Sequence, residues 1–463
     1  MYKLYPYVTN DASVGLFSPI ADDIYHSVKG AATEAYTKFI LPANIPKFLL
    51  NHNEIRVLDI CYGIGYNTKS FLNFIFQLKS KNFLKNSKNL IKILSAYNYA
   101  IYDDNNYHGN NDTIYSDNAS NYNSIKILHE SLYQKFLNND LKIYIKAIES
   151  DKTLSFLSPF IKSNIKKFPK NQFKNEKISK YLKNSKIKNS PQKSDNFSGK
   201  NAIESETIIL PECLISYPVS LNMFLLDKLI KTHPEMLSDE DLSLTITSNL
   251  YDGYFAKEFT RLFEFYKFSG YKQTPYANLC SFLHNIYYKY LSERYKSDLK
   301  ALKLRNIDFL LKINDARQEL KSDASEYDFI FLDAFSPIKC PCLWSFDFFK
   351  LLYNHLSSDG MILTYSTSAS VRNAFLNAGF FVGKTYDPFE NKFTGTVAVK
   401  NKSLIKYELS ECDLGLLKTK AGIFCRDENL NALNEAIVER RNLEAEKSNL
   451  QSSTEYKKQH PTA

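Results

Sequence analysis

Three acids, Glu149, Asp315 and Asp333, each stand at the end of a short apolar run, and Gly63 and Gly65 follow a fourth such run. An acid at the carboxyl end of a buried parallel strand sits where open α/β sheets hold their ligands. Glycines in the turn after a strand let the backbone approach a bound group. Glu149 is placed to accept two bonds from a ribose diol, and Asp315 to accept from an exocyclic adenine amine. Asp333 ends the fourth strand, ahead of Phe335 and Pro337. Four such groups at four strand ends describe a nucleoside site. Each also has a plainer reading, because Asp at such a point is a favoured helix cap.

The elements that must position these groups are legible as runs. Phe329-Ile330-Phe331-Leu332 has no helical period and reads as a strand buried on both faces. Ile55–Ile60, the Gly63/Gly65 turn and a helix from Thr68 to about Leu78 form a βα unit of nucleotide-fold type. Leu141–Ile148, Phe309–Ile313, Met361–Ser366, Phe380–Lys384 and Thr394–Lys400 read as further strands. Helices are expected up to Phe39, from about Phe346 to Leu356 with Asp359-Gly360 as its stop, from Ser370 to Ala378, over most of 206–305, and from about Leu430 to Leu450. The turn lacks the third glycine of a dinucleotide fingerprint, because position 68 is Thr, and no GxxxxGK[ST] phosphate loop is present. Adenosine without phosphates points to S-adenosyl-L-methionine.

Composition bounds the rest. The chain has 463 residues, 32 Tyr and 33 Phe, enough for a large core, and a net charge of +9 carried mostly by Lys. That balance suits a polyanion such as nucleic acid, but Lys, Asn, Ile and Tyr are over-used together, as a genome-wide bias would produce. Residues 79–139 and 162–205 read as polar insertions, the second with eleven Lys between Lys162 and Lys193. The organisation expected is a lead-in over 1–50, a main domain over 51–400 with those insertions, and an extension over 401–463. The seven cysteines are scattered, and Cys340-Pro341-Cys342 has no partner cluster for a metal, so no metal site and a reducing cytoplasm are expected. The amino terminus lacks the apolar core of a signal peptide, and no run reaches the roughly 20 apolar residues of a membrane span.

Several segments together are more specific than any strand end. Asp23-Ile-Tyr-His-Ser-Val-Lys-Gly-Ala with Glu34, Cys61-Tyr-Gly-Ile-Gly-Tyr-Asn67, Asn314-Asp-Ala-Arg317, Phe331-Leu-Asp-Ala-Phe-Ser-Pro337 through Trp344, Tyr365–Arg372 and Ala378-Gly-Phe380 carry the pattern, with Leu417–Ile423 in the tail. The chain resembles standalone relatives of the methyltransferase half of the bacterial bifunctional enzyme that completes 5-methylaminomethyl-2-thiouridine in tRNA. Three positions depart from that family: Cys61 replaces a glycine, Lys339-Cys340-Pro341 replaces Lys-Asn-Pro, and Lys392-Phe393 replaces a basic pair. No flavin fingerprint is present, so an oxidase half is not expected in this sequence.

The resemblance implies a Rossmann-like class I methyltransferase, α/β, with a mostly parallel seven-stranded sheet and helices on both faces. It implies N-methylation of 5-aminomethyl-(2-thio)uridine at the tRNA wobble position, a cytoplasmic monomer, and a separate oxidase that supplies the amine. Asp333 would orient the amine and help shed its proton, while Phe335 and Trp344 stack on or wall the flipped-out base, with core packing the equal alternative for Trp344. Gly63, Gly65, Asn67, Glu149, Asp315 and Ala316 would hold the cofactor, with His26 as a lid supported by Glu34. Lys339 and Arg372, then Arg426, Arg440 and Arg441, are the basic residues expected to meet tRNA. His52, His284 and His355 read as structural. Two rivals remain: an aminopropyl- or methyl-transferase acting on another small amine, and a non-catalytic RNA-binding module on the same fold.

Overall fold

The computed structural model describes residues 4–18, 23–26, 29–84, 88–97, 118–138, 141–161, 210–237 and 306–460. The Lys-rich run from 162 and the expected helix over 279–303 lie outside the described residues.

The lead-in forms a small antiparallel sheet of β1 (Tyr5–Val8), β2 (Val14–Ser18) and β3 (Asp23–Ile24). Helix α1 (Ala31–Ala35) follows and continues as a π-helical turn over Tyr36–Ile40. Its first amides find partners in the lead-in: the Ser13 hydroxyl accepts from Ala31 N–H at 2.8 Å and Asp11 from Thr33 N–H at 2.7 Å. These bonds satisfy donors that a helix start leaves open and dock the lead-in onto the main body.

The seven-stranded sheet holds β4 (Glu54–Ile60), β5 (Lys142–Glu149), β6 (Ile307–Ile313), β7 (Tyr327–Leu332), β8 (Leu356–Thr364), β9 (Phe381–Asp387) and β10 (Lys392–Val399). Its order is β6-β5-β4-β7-β8-β10-β9, with the pairs from β6 to β8 parallel and β10 antiparallel to both neighbours. This is the mostly parallel sheet expected of a Rossmann-like methyltransferase.

Alternation along each central strand feeds two cores. Val57, Phe329 and Phe331 enter one cluster with α2 (Ile45–Asn51) and α3 (Tyr66–Leu78). Leu58, Ile60, Ile330 and Leu332 enter the other with residues of α10 (Phe346–His355) and α11 (Ala369–Asn377). Burial on both faces is why these strands read as unbroken apolar runs rather than alternating ones.

Between α3 and α10 the described helices are α4 (Lys88–Ala96), α5 (Asn118–Asn138), α6 (Lys152–Leu157), α7 (Glu212–Ile215), α8 (Val219–Thr232) and α9 (Ala316–Lys321). The tail adds α12 (Glu411–Leu417), α13 (Asn434–Lys447) and α14 (Ser453–Gln459).

Two local expectations differ. The helix after Trp344 stops at His355, and Asp359-Gly360 lies inside β8, where the pairing with β7 shifts register between Tyr327 and Phe329. Gly360 therefore serves a strand irregularity rather than a helix stop. The polar stretch 79–139 contains α4 and α5, whose Ile125, Leu128 and Leu132 are buried against the first core.

Candidate active site

Strand order reverses between β4 and β7, because β5 lies on one side of β4 and β7 on the other. Beyond the carboxyl ends of strands at such a switch point, open α/β sheets leave a crevice. Here it is a cavity of about 610 Å³, roofed by the lead-in and floored by the loops after β4, β5 and β7. That volume lies within the roughly 300–1,000 Å³ common for small-molecule sites.

The loop after β4 supplies Cys61, Tyr62, Gly63, Tyr66 and Asn67 to the lining. Gly65 has φ +80°, and a Cβ there would meet Tyr62 Oη at 2.5 Å and Ser158 Oγ at 2.7 Å. Gly63 has φ +55°, and its N–H donates to Glu149 Oε2 at 2.7 Å. Cys61, where the related family carries glycine, also has a positive φ of 65°. A non-glycine residue there costs roughly 1–2 kcal/mol, which explains the glycine in the family pattern. Asp59, an acid inside the buried part of β4, ties down the helix start by accepting from Thr68 N–H and its hydroxyl. Burial pushes its carboxyl up to about 6.

Glu149 ends β5 and lines the cavity, accepting from Gly63 N–H and from Asp151 N–H at 3.0 Å. Burial pushes its carboxyl up to about 7, against the pull of those amide bonds. Asp333, just past β7, lines the same cavity and accepts from Asn67 Nδ2 at 2.9 Å. Its own N–H donates to Ile60 O, which pins the loop to β4. Burial first, then the nearby Glu34 carboxylate, pushes Asp333 up to about 8. An acid poised near neutrality is one that can exchange a proton at physiological pH.

The lead-in supplies Asp23, Tyr25, His26 and Glu34. Desolvation pushes His26 down to about 4, so the ring is neutral near pH 7, and it meets Tyr66 edge-on at 4.9 Å. The Phe335 and Tyr25 rings lie 5.1 Å apart and wall one side. Among the described residues, the lining has five carboxylates, Asp23, Glu34, Glu149, Asp151 and Asp333, and no Lys or Arg. Such a cavity selects for positive charge.

Of the residues singled out from the sequence, Gly63, Asn67, Glu149, Asp333, Phe335, His26 and Glu34 meet here. Others do not. Asp315 does not line the cavity; it caps α9 by accepting from Arg317 N–H at 2.8 Å and pairs with the Arg317 guanidinium at 2.6 Å. Desolvation opposes it, yet the Arg317 hydrogen bonds hold its carboxyl below the ordinary value. Ala316 is the buried first residue of that helix.

Trp344 is 1% exposed and belongs to the second core, edge-on to Tyr365, so it cannot stack on a base. Its Nε1–H donates to Phe335 O at 2.7 Å, so it fixes the Phe335 backbone from behind.

Arg372 is also buried, because it pairs with Asp413 at 2.7 Å and donates to Thr396 Oγ1 and Gly395 O. It braces β10 and the tail and is not presented to tRNA. Arg426 pairs with Asp347, Arg440 with Glu428, and Arg441 donates to Ile423 O. Lys339 stands at the rim, ion-paired with Asp23 at 2.9 Å. Both His355 ring nitrogens meet backbone carbonyls, a structural role.

Sequence reading missed Asp59, whose signal was an acid within an otherwise apolar strand. It also gave no role to the lining tyrosines Tyr25, Tyr62 and Tyr365, although each lies inside one of the matching segments. No metal-binding group of three or more His, Cys, Asp or Glu occurs among the described residues, and no described helix is long and apolar enough to cross a membrane.

Residues 277–401 match the sequence model of a family described as S-adenosyl-L-methionine-dependent methyltransferase. An uncharacterized protein of Methanocaldococcus jannaschii is 29% identical over 154 residues, 33% of this chain and 41% of that one. The tRNA 5-methylaminomethyl-2-thiouridine biosynthesis bifunctional protein MnmC of Burkholderia vietnamiensis is 37% identical over 70 residues, 15% of this chain and 11% of that one. The chain thus matches well under half the length of these curated relatives. A crystal structure of MNMC2 from Aquifex aeolicus aligns with a TM-score of 0.49 at 18% identity, covering 97% of this chain and 87% of that one. The strand order agrees with these likenesses: residues 277–401 resemble an S-adenosyl-L-methionine-dependent methyltransferase, and part of the chain is similar to the MnmC proteins.

Proposed function

We propose that the chain methylates the primary amine of a 5-aminomethyl uridine, 2-thiolated or not, at the wobble position of tRNA in the cytoplasm. The observation that carries this reading is the lining of five carboxylates without Lys or Arg. Both a sulfonium and an alkylammonium are cations, and this cavity is built for cations rather than phosphates.

The residues present fit the cofactor. Gly63 faces open space, since a Cβ there would meet nothing nearer than Cys61 O at 3.8 Å, and Glu149 beside it offers carboxylate oxygens to a ribose diol. S-adenosyl-L-methionine supplies, when bound, a methyl group activated by a sulfonium. Asp333 holds the substrate nitrogen and, in its deprotonated form, accepts a proton from the ammonium, exposing the lone pair that must attack; with its carboxyl at about 8 that form grows as pH rises. Asn67, donating to one Asp333 oxygen, leaves the other for the amine. Phe335 and Tyr25 wall the uracil ring. Positioning of this kind supplies up to roughly 7–11 kcal/mol in favourable cases.

The test is incubation of the purified chain with methyl-labelled S-adenosyl-L-methionine and tRNA carrying 5-aminomethyl uridine, followed by nucleoside mass spectrometry. Label in 5-methylaminomethyl uridine supports the reading, and unlabelled nucleosides despite cofactor binding overturn it. A second reading rests on the same acids: they would also hold a small polyamine. Label recovered in N-methylated spermidine or putrescine when either is supplied, and not in tRNA, would select that alternative.

A further inference from the structure

Cys340 and Cys342 flank Pro341 in the loop between Asp333 and Trp344, and the methyl-transfer chemistry uses neither thiol. Their sulfurs lie 3.7 Å apart in a hydrogen bond. Cys340 is half-buried and lines the cavity beside Leu343, whereas Cys342 is buried in the second core. The backbone around them is held: Cys340 N–H donates to Ser336 O at 2.9 Å, Ser345 Oγ donates to Cys342 O at 3.0 Å, and Cys342 N–H donates to Asn434 Oδ1 at 3.4 Å. Pro341 fixes a backbone dihedral between the two. The pair is thus preset, with one sulfur reachable from the cavity and its partner directly behind.

We propose that Cys340 and Cys342 form a reversible modification site, a dithiol that peroxides oxidise to an intramolecular disulfide in the wall of the methyltransferase cavity. The polarity of the pair follows from its surroundings. The hydrogen bond from Cys340 lowers the Cys342 pKa, with help from the Arg317 guanidinium, and the same bond raises that of Cys340. Cys342 is therefore the more readily deprotonated of the two.

With Cys342 deprotonated, the Cys340 sulfur, which a hydroperoxide reaches from the cavity, passes its proton to Cys342 as it attacks one oxygen and breaks the O–O bond, leaving a sulfenic acid on Cys340 and an alkoxide or hydroxide. That anion takes the proton back from Cys342. The Cys342 thiolate then attacks the Cys340 sulfenic sulfur, forming the S–S bond and expelling hydroxide, which solvent protonates to water. Two sulfurs give up two electrons and the peroxide accepts them. Bringing the sulfurs from 3.7 Å to the roughly 2 Å of a disulfide draws Cys340 towards Cys342 and reshapes the wall next to Phe335. A ring closed across a single residue is strained, and strained disulfides are the readily reduced ones. The modification is accordingly reversible by a dithiol.

The experiment exposes the folded full chain to hydrogen peroxide, caps the remaining thiols with iodoacetamide, and maps peptides by mass spectrometry without reductant. The expected result is a peptide carrying both Cys340 and Cys342 that has lost two hydrogens and escaped alkylation. It should form at least about tenfold faster than half-buried Cys213 and Cys412 oxidise, and dithiothreitol should return both thiols. In Cys342→Ser the disulfide cannot form, and a dimedone adduct should accumulate on Cys340. Two results overturn the proposal: both thiols still alkylated after Cys213 and Cys412 are consumed, or Cys340 cross-linked to Cys61. The unsubstituted chain gives the primary readout, so a poorly folding variant cannot obscure it.

Discussion

At the carboxyl ends of β6 and β7 the same residue type meets two fates. Asp333 follows β7 into a loop that Pro337 keeps from continuing as strand, and no helix begins until Pro341. Its carboxylate is left facing the cavity with Asn67 as its polar partner, and burial raises its pKa to about 8. Asp315 follows β6 by two residues, and α9 begins at the next position. Its carboxylate is drawn into capping that helix and pairing with Arg317, and is held below its ordinary pKa. A strand-end acid becomes available for chemistry when the chain delays the next helix; when the helix starts at once, its open amides claim the acid.

The sharpest way to break this comparison is to remove each carboxylate in turn. Asp333→Asn should lower turnover by about 10²–10⁴-fold with cofactor affinity nearly unchanged, as single-turnover kinetics and calorimetry would show. Retained turnover would reject its role. Asp315→Ala should leave turnover within about twofold and instead cost about 1 kcal/mol of stability through the lost cap, read by urea denaturation.

Between those two in size stands Trp344→Phe. Losing the indole N–H leaves Phe335 O without its buried donor, for about 1–3 kcal/mol. Amine KM should rise more than kcat falls, because the tryptophan positions Phe335 rather than touching substrate.

Acid and base dependence separates the two acids by sign. Asp333 and Glu149 have raised pKa values in the fold. Their contribution to stability is present below the ordinary carboxylate range and is lost as pH rises through about 7 and about 8. Asp315 is depressed, so its contribution is present at neutral pH and lost as pH falls below the ordinary carboxylate value. Melting temperatures of Asp333→Asn should therefore exceed the native ones at pH 9 and converge with them only below about pH 4. Those of Asp315→Ala should fall short at pH 7 and converge in acid. The smallest effect is expected from Cys61→Gly, which relieves the positive φ at the expense of unfolded-chain entropy, for a net gain below about 1 kcal/mol.

The central sheet was legible because strands buried on both faces must be apolar at every position, as in Phe329–Leu332 and Ile55–Ile60. Glu149 and Asp333, which reach the cavity from their own strand ends, were legible as strand-end acids for the same reason. Asp315 was not separable from them, since capping and ligand binding favour the same side chain in the same place. Trp344 and Arg372 were misplaced because burial of a large or charged side chain is decided by distant partners, here the core under Tyr365 and the Asp413 carboxylate in the tail. Helix α5 was hidden by its polar composition, although Ile125, Leu128 and Leu132 keep helical spacing. Gly360 read as a stop because a glycine in a strand irregularity looks like one after a helix.

The most direct measurement is calorimetric titration of S-adenosyl-L-methionine into the native chain, Glu149→Ala and Asp315→Ala. The account predicts a single saturable site in the native chain, affinity lowered at least about tenfold in Glu149→Ala, and affinity unchanged in Asp315→Ala. An equal loss in Asp315→Ala, or full affinity without Glu149, would contradict a cofactor held in the cavity between β4 and β7.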